Sequence, residues 1–374
     1  MTHRLGIGVC GLSRGFVLTA AALAHHPRAR LVAACDPRPE ARSRFEADFG
    51  GPGYGTLDAM LGDPAVEVVY VATPHGLHAA NAVAALAAGR HVLVEKPMAV
   101  TLEDCAAMRD AAARAGRVIM VGPSHAYDGP VRHARALIEA GEVGAPRLLW
   151  AANGTDFLNR PRTPAELDTA RGGGVLFSQA AHQVDVARVL MGDRVTEVRC
   201  AAYGLDPARP TEGAYAAHLR FAGGGVANLT YNGHGRFDTD ALMDWVGETG
   251  ADRPPGARAS RAIPADEAAA KAARAYGGGP PGAPPAAPPV HHEHFGIAIL
   301  SCERADLRPT ADGVWVHDAA GARFLPTPLP ILPRAAVVDA LAAAVLDGVP
   351  PRHDAAWGME TIRVCLAMRD AARG

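Results

Sequence analysis

The chain has 374 residues, which is enough for two domains of ordinary size. Its 37 Lys and Arg balance 39 Asp and Glu, so it lacks the positive charge that nucleic acid or an anionic membrane surface requires of a partner. Hydrophobic residues make up 49%, no segment is apolar enough to span a membrane, and the six cysteines have neither zinc-site nor disulfide-framework spacing. We therefore expect a cytoplasmic protein that acts on a small molecule and binds neither nucleic acid nor membrane.

Residues 1–122 alternate short β-branched runs with helical stretches. This alternation predicts parallel βαβ units and hence an α/β Rossmann domain with a doubly wound parallel sheet. One helix is well marked, because Thr101 can cap its beginning and Gly116 follows its last turn. The predicted strands are Leu5–Cys10, Leu31–Cys35, Val66–Ala72, His91–Val94 and Val118–Val121.

After residue 122 the strands follow one another mostly without helices between them. They are predicted at Leu148–Ala152, Val195–Ala202, Ala216–Phe221, Val226–Tyr231 and Val314–His317. This order is typical of a large open, mostly antiparallel sheet. Apolar residues at helical spacing predict two closing helices, Arg334–Leu346 and Asp354–Arg373. We therefore assign 123–374 to a second α/β domain that binds substrate and mediates oligomerisation.

Residues 251–290 have an unusual composition, with nine of the 30 prolines and the run Gly277-Gly278-Gly279. Such a segment buries little apolar surface, which predicts a mobile surface insertion. A helical stretch within it, Ala265–Tyr276, could dock as a lid, and a passive loop is the alternative.

The first strand leads into Gly11-Leu-Ser13-Arg14-Gly15, where a dinucleotide-binding turn places its glycines. Ser13 stands where the second glycine usually lies, but Ser is small and its hydroxyl can donate to a phosphate. We predict that Gly11, Ser13 and Arg14 contact the cofactor. A formal G-x-G-x-x-G match at 6–11 begins inside the strand and is interpreted as coincidental.

Asp36 ends the second predicted strand, 25 positions after Gly11. A carboxylate there accepts from both hydroxyls of the adenosine ribose and repels a 2′-phosphate, which favours NAD. Arg38 could instead pair with a 2′-phosphate, so NADP stays open as the alternative.

Three further motifs carry a specific resemblance. They are the run Val71–His78, the run His91–Pro97 with Glu95-Lys96-Pro97, and the glycine-led segment Gly172–Asp185. Together they resemble the glucose-fructose oxidoreductase / inositol dehydrogenase (Gfo/Idh/MocA) family. The resemblance implies hydride transfer between NAD(P) and a hydroxylated substrate, a homodimer or homotetramer, and further cofactor contacts at Thr73, Pro74, His78, Glu95 and Lys96.

His182 and Lys96 are the candidate catalytic residues. An imidazole titrates near neutrality and can accept the hydroxyl proton, and an ammonium just past a strand can stabilise developing alkoxide charge. A solvated lysine and a merely packed histidine are the alternatives. The family often has Asp at the position of Ser178, and Asp185, almost one helical turn after His182, could orient the imidazole instead.

Ser178-Gln179, the run 159–171 and the run 294–308 are similar to the phthalate cis-dihydrodiol dehydrogenase branch of the family. That resemblance implies oxidation of a cis-diol on a cyclohexadiene dicarboxylate to a catechol. Arginines could grip such carboxylates, although loop arginines often stay in water. The predicted substrate contacts, besides Lys96 and His182, are His125, Tyr127, Arg160, Arg162, Arg171, Ser178, Gln179 and His294.

His291, His292 and His294 around Glu293 are the one group with metal-ligand side chains. Adjacent histidines on a strand point to opposite faces, and hydride transfer needs no metal, so we predict no metal site. Two other functions remain open: a sugar or inositol dehydrogenase of the same family, and a non-catalytic NAD-binding regulatory protein, which Ser13 and Ser178 keep under consideration.

Overall fold

The computed structural model describes residues 3–192, 194–256, 263–278, 282, 284 and 287–373. The chain divides into two compact units. Unit 1 comprises 1–123, 268–288 and 331–362, and unit 2 comprises 124–267, 289–330 and 363–374. Two stretches of the predicted second domain, 123–374, thus belong to unit 1. Helical periodicity shows that one face of a helix is buried but not which sheet it packs against. The sequence therefore could not reveal that these stretches belong to unit 1.

The first 123 residues alternate strands with helices, as predicted. Their elements are β1 (Leu5–Cys10), α1 (Arg14–His25), β2 (Ala29–Cys35), α2 (Pro39–Phe49), β3 (Gly53–Tyr54), α3 (Leu57–Leu61), β4 (Val68–Val71), α4 (His78–Ala87), β5 (His91–Val94), α5 (Leu102–Ala115) and β6 (Ile119–Val121).

In the described part of the chain these strands form one six-stranded sheet in the order β3-β2-β1-β4-β5-β6. All its pairs are parallel, so the predicted doubly wound Rossmann sheet is confirmed. The strand β1 pairs with both β2 and β4, and the winding direction reverses there. Ligands of open α/β sheets bind beyond the carboxyl ends of the strands at such a reversal.

The following elements are α6 (Gly129–Glu139), β7 (Pro146–Gly154), α7 (Gly174–Ser178), α8 (Ala180–Met191), β8 (Val195–Tyr203), β9 (Ala214–Phe221), β10 (Val226–Asn232), α9 (Glu267–Ala272), β11 (Ile297–Cys302), β12 (Ala305–Pro309), β13 (Gly313–Asp318), β14 (Gly321–Pro326), α10 (Ala335–Leu346) and α11 (Ala355–Ala371). The helix α10 belongs to unit 1, whereas α11 begins in unit 1 and ends in unit 2.

Unit 2 is built on an eight-stranded sheet, counted over the described residues, in the order β14-β13-β12-β11-β7-β10-β9-β8. Among these strands only β7 and β10 pair in parallel, so the predicted mostly antiparallel sheet is confirmed. The helices α6 and α8 pack on one face. On the central strand β7, Leu149 is buried, while Leu148 and Trp150 are 40% and 42% exposed. The sheet is therefore open on its second face.

The insertion is anchored where the structure describes it. Its helix α9 is shorter than the predicted helix Ala265–Tyr276. Tyr276 is buried, with its ring 5.1 Å from that of Phe16 and its hydroxyl donating to Asp48 at 2.6 Å. The prediction of a mobile insertion is therefore wrong for Tyr276, because proline and glycine content does not reveal one buried aromatic anchor. The rest of that prediction falls partly on 257–262, 279–281, 283, 285 and 286, which lie outside the described residues.

A search of the described helices for one long and apolar enough to cross a membrane finds none.

Candidate active site

The nucleotide-binding turn of unit 1 follows β1 directly. Gly11 adopts φ +91°, and a side chain there would lie 2.9 Å from the methyl group of Thr73. The Ser13 hydroxyl accepts a hydrogen bond from the backbone N–H of Gly15 at 3.2 Å and so caps α1. The positive dipole end of this 12-residue helix therefore lies at the turn, where it favours binding of an anion.

Asp36, just after β2, is hydrogen-bonded to the nucleotide-binding turn after β1. The N–H of Leu12, inside the turn, donates to Asp36 Oδ2 at 2.8 Å. The Arg38 side chain donates to both carboxylate oxygens, at 2.9 and 3.1 Å, and its own N–H donates to Oδ1 at 3.0 Å. Burial acts to raise the pKa of Asp36, but the Arg38 hydrogen bonds outweigh it and hold that pKa below its usual value. The carboxylate is thus ionised and placed beside the turn.

Arg38 is fixed by more than Asp36. Its guanidinium also donates to the carbonyl of Leu12 at 2.8 Å and to that of Tyr276 at 3.4 Å. Arg38 thus supplies three of the hydrogen bonds that the Asp36 carboxylate accepts. A ribose hydroxyl that binds Asp36 must displace the Arg38 guanidinium.

The loop after β4 and the loop after β5 are linked through His78. This histidine is fully buried, and its two ring nitrogens lie 2.9 Å from the carbonyl oxygens of Thr73 and Pro97. Burial lowers its pKa, which keeps it neutral. His78 was predicted to contact the cofactor, but the structure instead buries it behind the cis Lys96–Pro97 bond, where it fixes the loop that carries Lys96.

Glu95 also lies deeper than predicted. Tyr70 donates to its carboxylate at 2.5 Å, and a side chain on Gly15 would lie 2.7 Å from the same oxygen. Burial raises the pKa of Glu95, although the nearby charges of Lys96 and Arg334 oppose the rise. Glu95 therefore supports the nucleotide turn from beneath rather than contacting the cofactor. Lys96, next in sequence, is partly exposed.

In unit 2 a glycine-led segment places His182 in the first turn of α8. Gly174 adopts φ +72°, and a side chain there would overlap the carboxylate of Glu212. The Ser178 hydroxyl donates to the Gly174 carbonyl and so holds the single turn of α7. Asp185, predicted to orient His182, accepts a hydrogen bond from Ser124. Burial raises the pKa of Tyr127, and the charge of Asp185 raises it further.

His182 lies in a cluster of aromatic rings. Its ring centroid is 4.7 Å from that of His125, and Phe295 lies 5.0 Å from both imidazoles. Tyr231 stacks on the far side of Phe295 at 6.2 Å. The predicted pair of His125 and His182 is thus brought together, and Phe295 was missed because an isolated phenylalanine carries no sequence signal.

Carboxylates surround His125. Its Nδ1 lies 2.8 Å from Asp128 Oδ2, and one side-chain atom each of His125, Asp128 and Glu293 lie within 4.8 Å of one another. Burial acts to lower the pKa of His125, but Asp128, Glu293 and Glu248 outweigh it and raise that pKa. The sequence could not reveal this group, since Glu248 and Glu293 are far from His125 along the chain.

The predicted carboxylate-binding arginines are occupied to different degrees. Arg160 pairs with Asp156 at 2.7 Å and with Glu248 at 3.7 Å. Arg162 lies 3.5 Å from the ring centroid of Phe157 and donates to the Phe157 carbonyl. Arg171, just before the glycine-led segment, is exposed. Two of the three guanidiniums are therefore already matched by protein groups.

His294, predicted to contact substrate, is largely buried but lines the cavity beside this cluster. The Gly296 N–H donates to its Nδ1 at 3.1 Å, so Nε2 carries the proton and donates to the Val246 carbonyl at 2.8 Å. His291 and His292 bind other groups, Asp312 and the Thr327 carbonyl. The three histidines are neighbours in sequence, but each side chain contacts a different partner, so they do not form one site.

A cavity adjoins this cluster. It is lined by residues at the beginning of α6, in α8 and in β11, and by the segments just before α6 and β11, among them His125, Asp128, Gln183, Glu293, His294 and Phe295. Gln183 follows His182 on α8 and is held by the Tyr215 hydroxyl at 2.7 Å and by the Thr230 carbonyl at 3.0 Å. These bonds fix the turn of α8 that bears His182.

Sequence profiles of one protein family match both parts of the chain. The profile described as an oxidoreductase family with an NAD-binding Rossmann fold, Gfo/Idh/MocA, covers residues 5–123. The profile of the Gfo/Idh/MocA C-terminal domain covers residues 131–251.

Individual relatives agree with these profiles. The chain is 41% identical, over 98% of its length and 94% of the relative's, to 1-carboxy-3-chloro-3,4-dihydroxycyclohexa-1,5-diene dehydrogenase of Comamonas testosteroni. It is 28% identical, over 53% of its length and 57% of the relative's, to scyllo-inositol 2-dehydrogenase (NAD(+)) of Bacillus subtilis. A solved structure from Bordetella bronchiseptica RB50 superposes with a TM-score of 0.92 at 37% identity, covering 99% of this chain and 98% of the other.

Proposed function

Because the chain belongs to the Gfo/Idh/MocA family of NAD-binding oxidoreductases, we propose that it oxidises a carboxylated cyclohexadiene cis-diol with NAD as hydride acceptor. The observation that carries the substrate class is the 41% identity, over nearly the full length of both chains, to the Comamonas testosteroni dehydrogenase. The carbinol carbon gives a hydride to NAD and its hydroxyl gives a proton to a base. The resulting ketone tautomerises to an aromatic catechol, which makes oxidation the favoured direction.

The residues of unit 1 fit a dinucleotide. Gly11 lets the turn before α1 pack closely against Thr73, and Ser13 offers a hydroxyl at the beginning of α1, where a pyrophosphate would bind. Asp36 supplies an ionised carboxylate for the ribose hydroxyls after Arg38 moves away. NAD accepts the hydride, and these side chains only bind and orient it.

We assign the proton transfer to His182 and the stabilisation of the developing alkoxide to Lys96. The fixed turn of α8 and the neutral His78 behind the Lys96 loop support these roles, since both side chains start from rigid backbone. Tyr127 and Gln179 stay predicted substrate contacts.

The arginines favour a substrate with one carboxylate over the dicarboxylate of the phthalate branch. Arg160 is balanced by Asp156 and Glu248, whereas Arg171 is exposed. A guanidinium already paired with a protein carboxylate has little capacity left for a substrate carboxylate.

The test is the formation of reduced nicotinamide when the protein meets NAD and, separately, a carboxylated cis-dihydrodiol, inositol and glucose. We expect turnover of the dihydrodiol, and its loss in His182→Asn with NADH binding retained. Turnover of inositol or glucose instead would move the assignment to the sugar and inositol dehydrogenases. Tight NADH binding with no turnover of any of the three would favour a regulatory protein.

We also propose that the chain forms a homo-oligomer in the cytoplasm. The exposed apolar residues on the open face of the unit 2 sheet, Leu148 and Trp150, support the first point. The free state of all six cysteines, each within the described ranges, supports the second. Light scattering on the wild type and on Trp150→Glu tests the interface, and a monomeric wild type would refute it.

A further inference from the structure

Ser178 carries no charge where the family often has an aspartate, and the groups next to His182 show how this chain arranges its charges instead. We propose that His125, held by Asp128, is a positioning residue for His182: it fixes the His182 ring and, as a neighbouring cation, keeps that ring in its neutral, proton-accepting form. The inference rests on the proposed function only through the role of His182.

The ring geometry carries the orienting part of this proposal. The imidazoles of His125 and His182 meet edge to face, with centroids 4.7 Å apart and planes at 61°. Phe295 contacts both rings at 5.0 Å, so each imidazole is packed against two others. Asp128 binds His125 Nδ1 at 2.8 Å and sets its rotation. A ring held in this way presents a fixed edge to His182.

The charges around His125 carry the electrostatic part. Asp128 faces it from the beginning of α6, Glu293 from the segment before β11, and Glu248 from the loop after residue 243. Arg160, on the far side of Glu248, is also paired with Asp156. Burial opposes a charge on His125, but the three carboxylates outweigh it and raise the pKa of His125. His125 therefore holds a proton above the usual pH range of histidine.

A cation at this distance has a defined effect on a general base. Like charges disfavour one another, so a protonated His125 disfavours protonation of His182. His182 then stays neutral and ready to accept the substrate hydroxyl proton. Once it has done so, the two adjacent cations favour loss of that proton to water, which resets the base. The hydride leaves to NAD in the same reaction, so atoms and charge balance.

Two unit charges 4.7 Å apart shift each other's titration by about two to three pH units at an effective dielectric constant of about 20, and the carboxylates beside His125 reduce this shift. In His125→Asn we therefore expect the acid limb of the kcat/KM profile to move about one to two units toward higher pH. His125→Gln, which also removes the imidazole, should move it in the same direction. A purely structural residue would lower activity without moving this limb.

The matched control is His291→Asn. His291 also lies between two carboxylates, Asp312 at 2.6 Å and Asp252 at 3.2 Å, which likewise raise its pKa. Its replacement removes a comparable histidine from the same unit, and we expect the acid limb to stay in place.

Titration of the imidazole nitrogens by NMR gives a readout that needs no substrate. We expect the His182 signal, assigned through its absence in His182→Asn, to titrate at higher pH in His125→Asn than in wild type. If His182 titrates at the same or a lower pH in folded His125→Asn than in wild type, the inference is overturned, whichever of the three compounds the protein turns over. If His125→Asn does not fold, His125→Gln decides by the same criterion. Failure of the proposed function looks different, because wild type would then turn over none of the three compounds.

Discussion

Replacing Asp36 by Asn tests how this chain selects its dinucleotide. The carboxylate receives four hydrogen bonds, one from Leu12 and three from Arg38. An amide in its place has one acceptor oxygen, and its NH2 group would face another N–H donor. The substitution therefore removes the negative charge and leaves Arg38 without its ion-pair partner.

The size of the effect follows from these contacts. A hydrogen bond to a charged group contributes about 1.5–3 kcal/mol, so losing the Asp36 carboxylate as acceptor of the ribose hydroxyls weakens NADH binding roughly ten- to hundredfold. NADPH binding changes in the opposite sense, because the repulsion of a 2′-phosphate disappears and Arg38 becomes available to it. The NADH to NADPH preference of Asp36→Asn should thus fall by at least the factor lost for NADH.

The assay is fluorescence titration of each reduced dinucleotide into wild type, Asp36→Asn and Arg38→Ala. Arg38→Ala is the matched control, because it removes the competitor for Asp36 and keeps the carboxylate. NADH should bind it at least as tightly as wild type, and NADPH should not gain. An unchanged NADH to NADPH ratio in Asp36→Asn would refute the assignment of Asp36 as the ribose ligand.

Substitutions at three further positions test the packing beneath the site. Tyr276→Ala should destabilise unit 1 by about 3–5 kcal/mol, seen as a lower urea midpoint. Tyr276→Phe, which loses only the hydroxyl contacts to Asp48 and the Arg44 carbonyl, should destabilise it by about 1–3 kcal/mol; equal midpoints for wild type and both variants would contradict the anchor. Gly174→Ala should give little folded protein, because its side chain would overlap Glu212 at φ +72°; full yield with an unchanged circular dichroism spectrum would contradict this. Burial raises the pKa of Glu95, so the folded protein holds that proton more tightly than the unfolded chain, whose value is near 4.5, and stability falls as pH rises above it. Between about pH 4.5 and neutrality, the urea midpoint should fall less in Glu95→Gln than in wild type. Parallel curves for the two proteins would contradict the raised pKa of Glu95.

Features that depend on a short stretch of chain were predicted reliably from the sequence. The position of Gly11 after a buried strand and that of Asp36 after the next predicted the turn and its carboxylate, because both depend on short stretches of chain. The strands β3, β11, β12 and β14 escaped prediction. β3 has only two residues, and the edge strand β14 is exposed over nearly its whole length, so neither has an apolar alternation to detect.

The sequence did not predict reliably how deeply a side chain is buried. His78 was placed in the site because it lies within a recognisable run, but the structure turns its ring inward onto backbone carbonyls. Spacing along the chain gives a residue's element and not its distance from the surface. For the same reason the carboxylates facing His125 were invisible, since they come from three separate segments.

The return of 331–362 to unit 1 has a consequence for biosynthesis. The strand β6 lies at the edge of its sheet, and there Val121 donates to the His353 carbonyl at 2.8 Å while Met120 bridges to Asp354. On the ribosome, the first 123 residues emerge more than two hundred residues before this partner segment. During that interval the nascent sheet has an unprotected edge, the kind of surface that chaperones bind and that pairs with other chains. The nucleotide-binding unit is therefore completed only after residues 331–362 have been made.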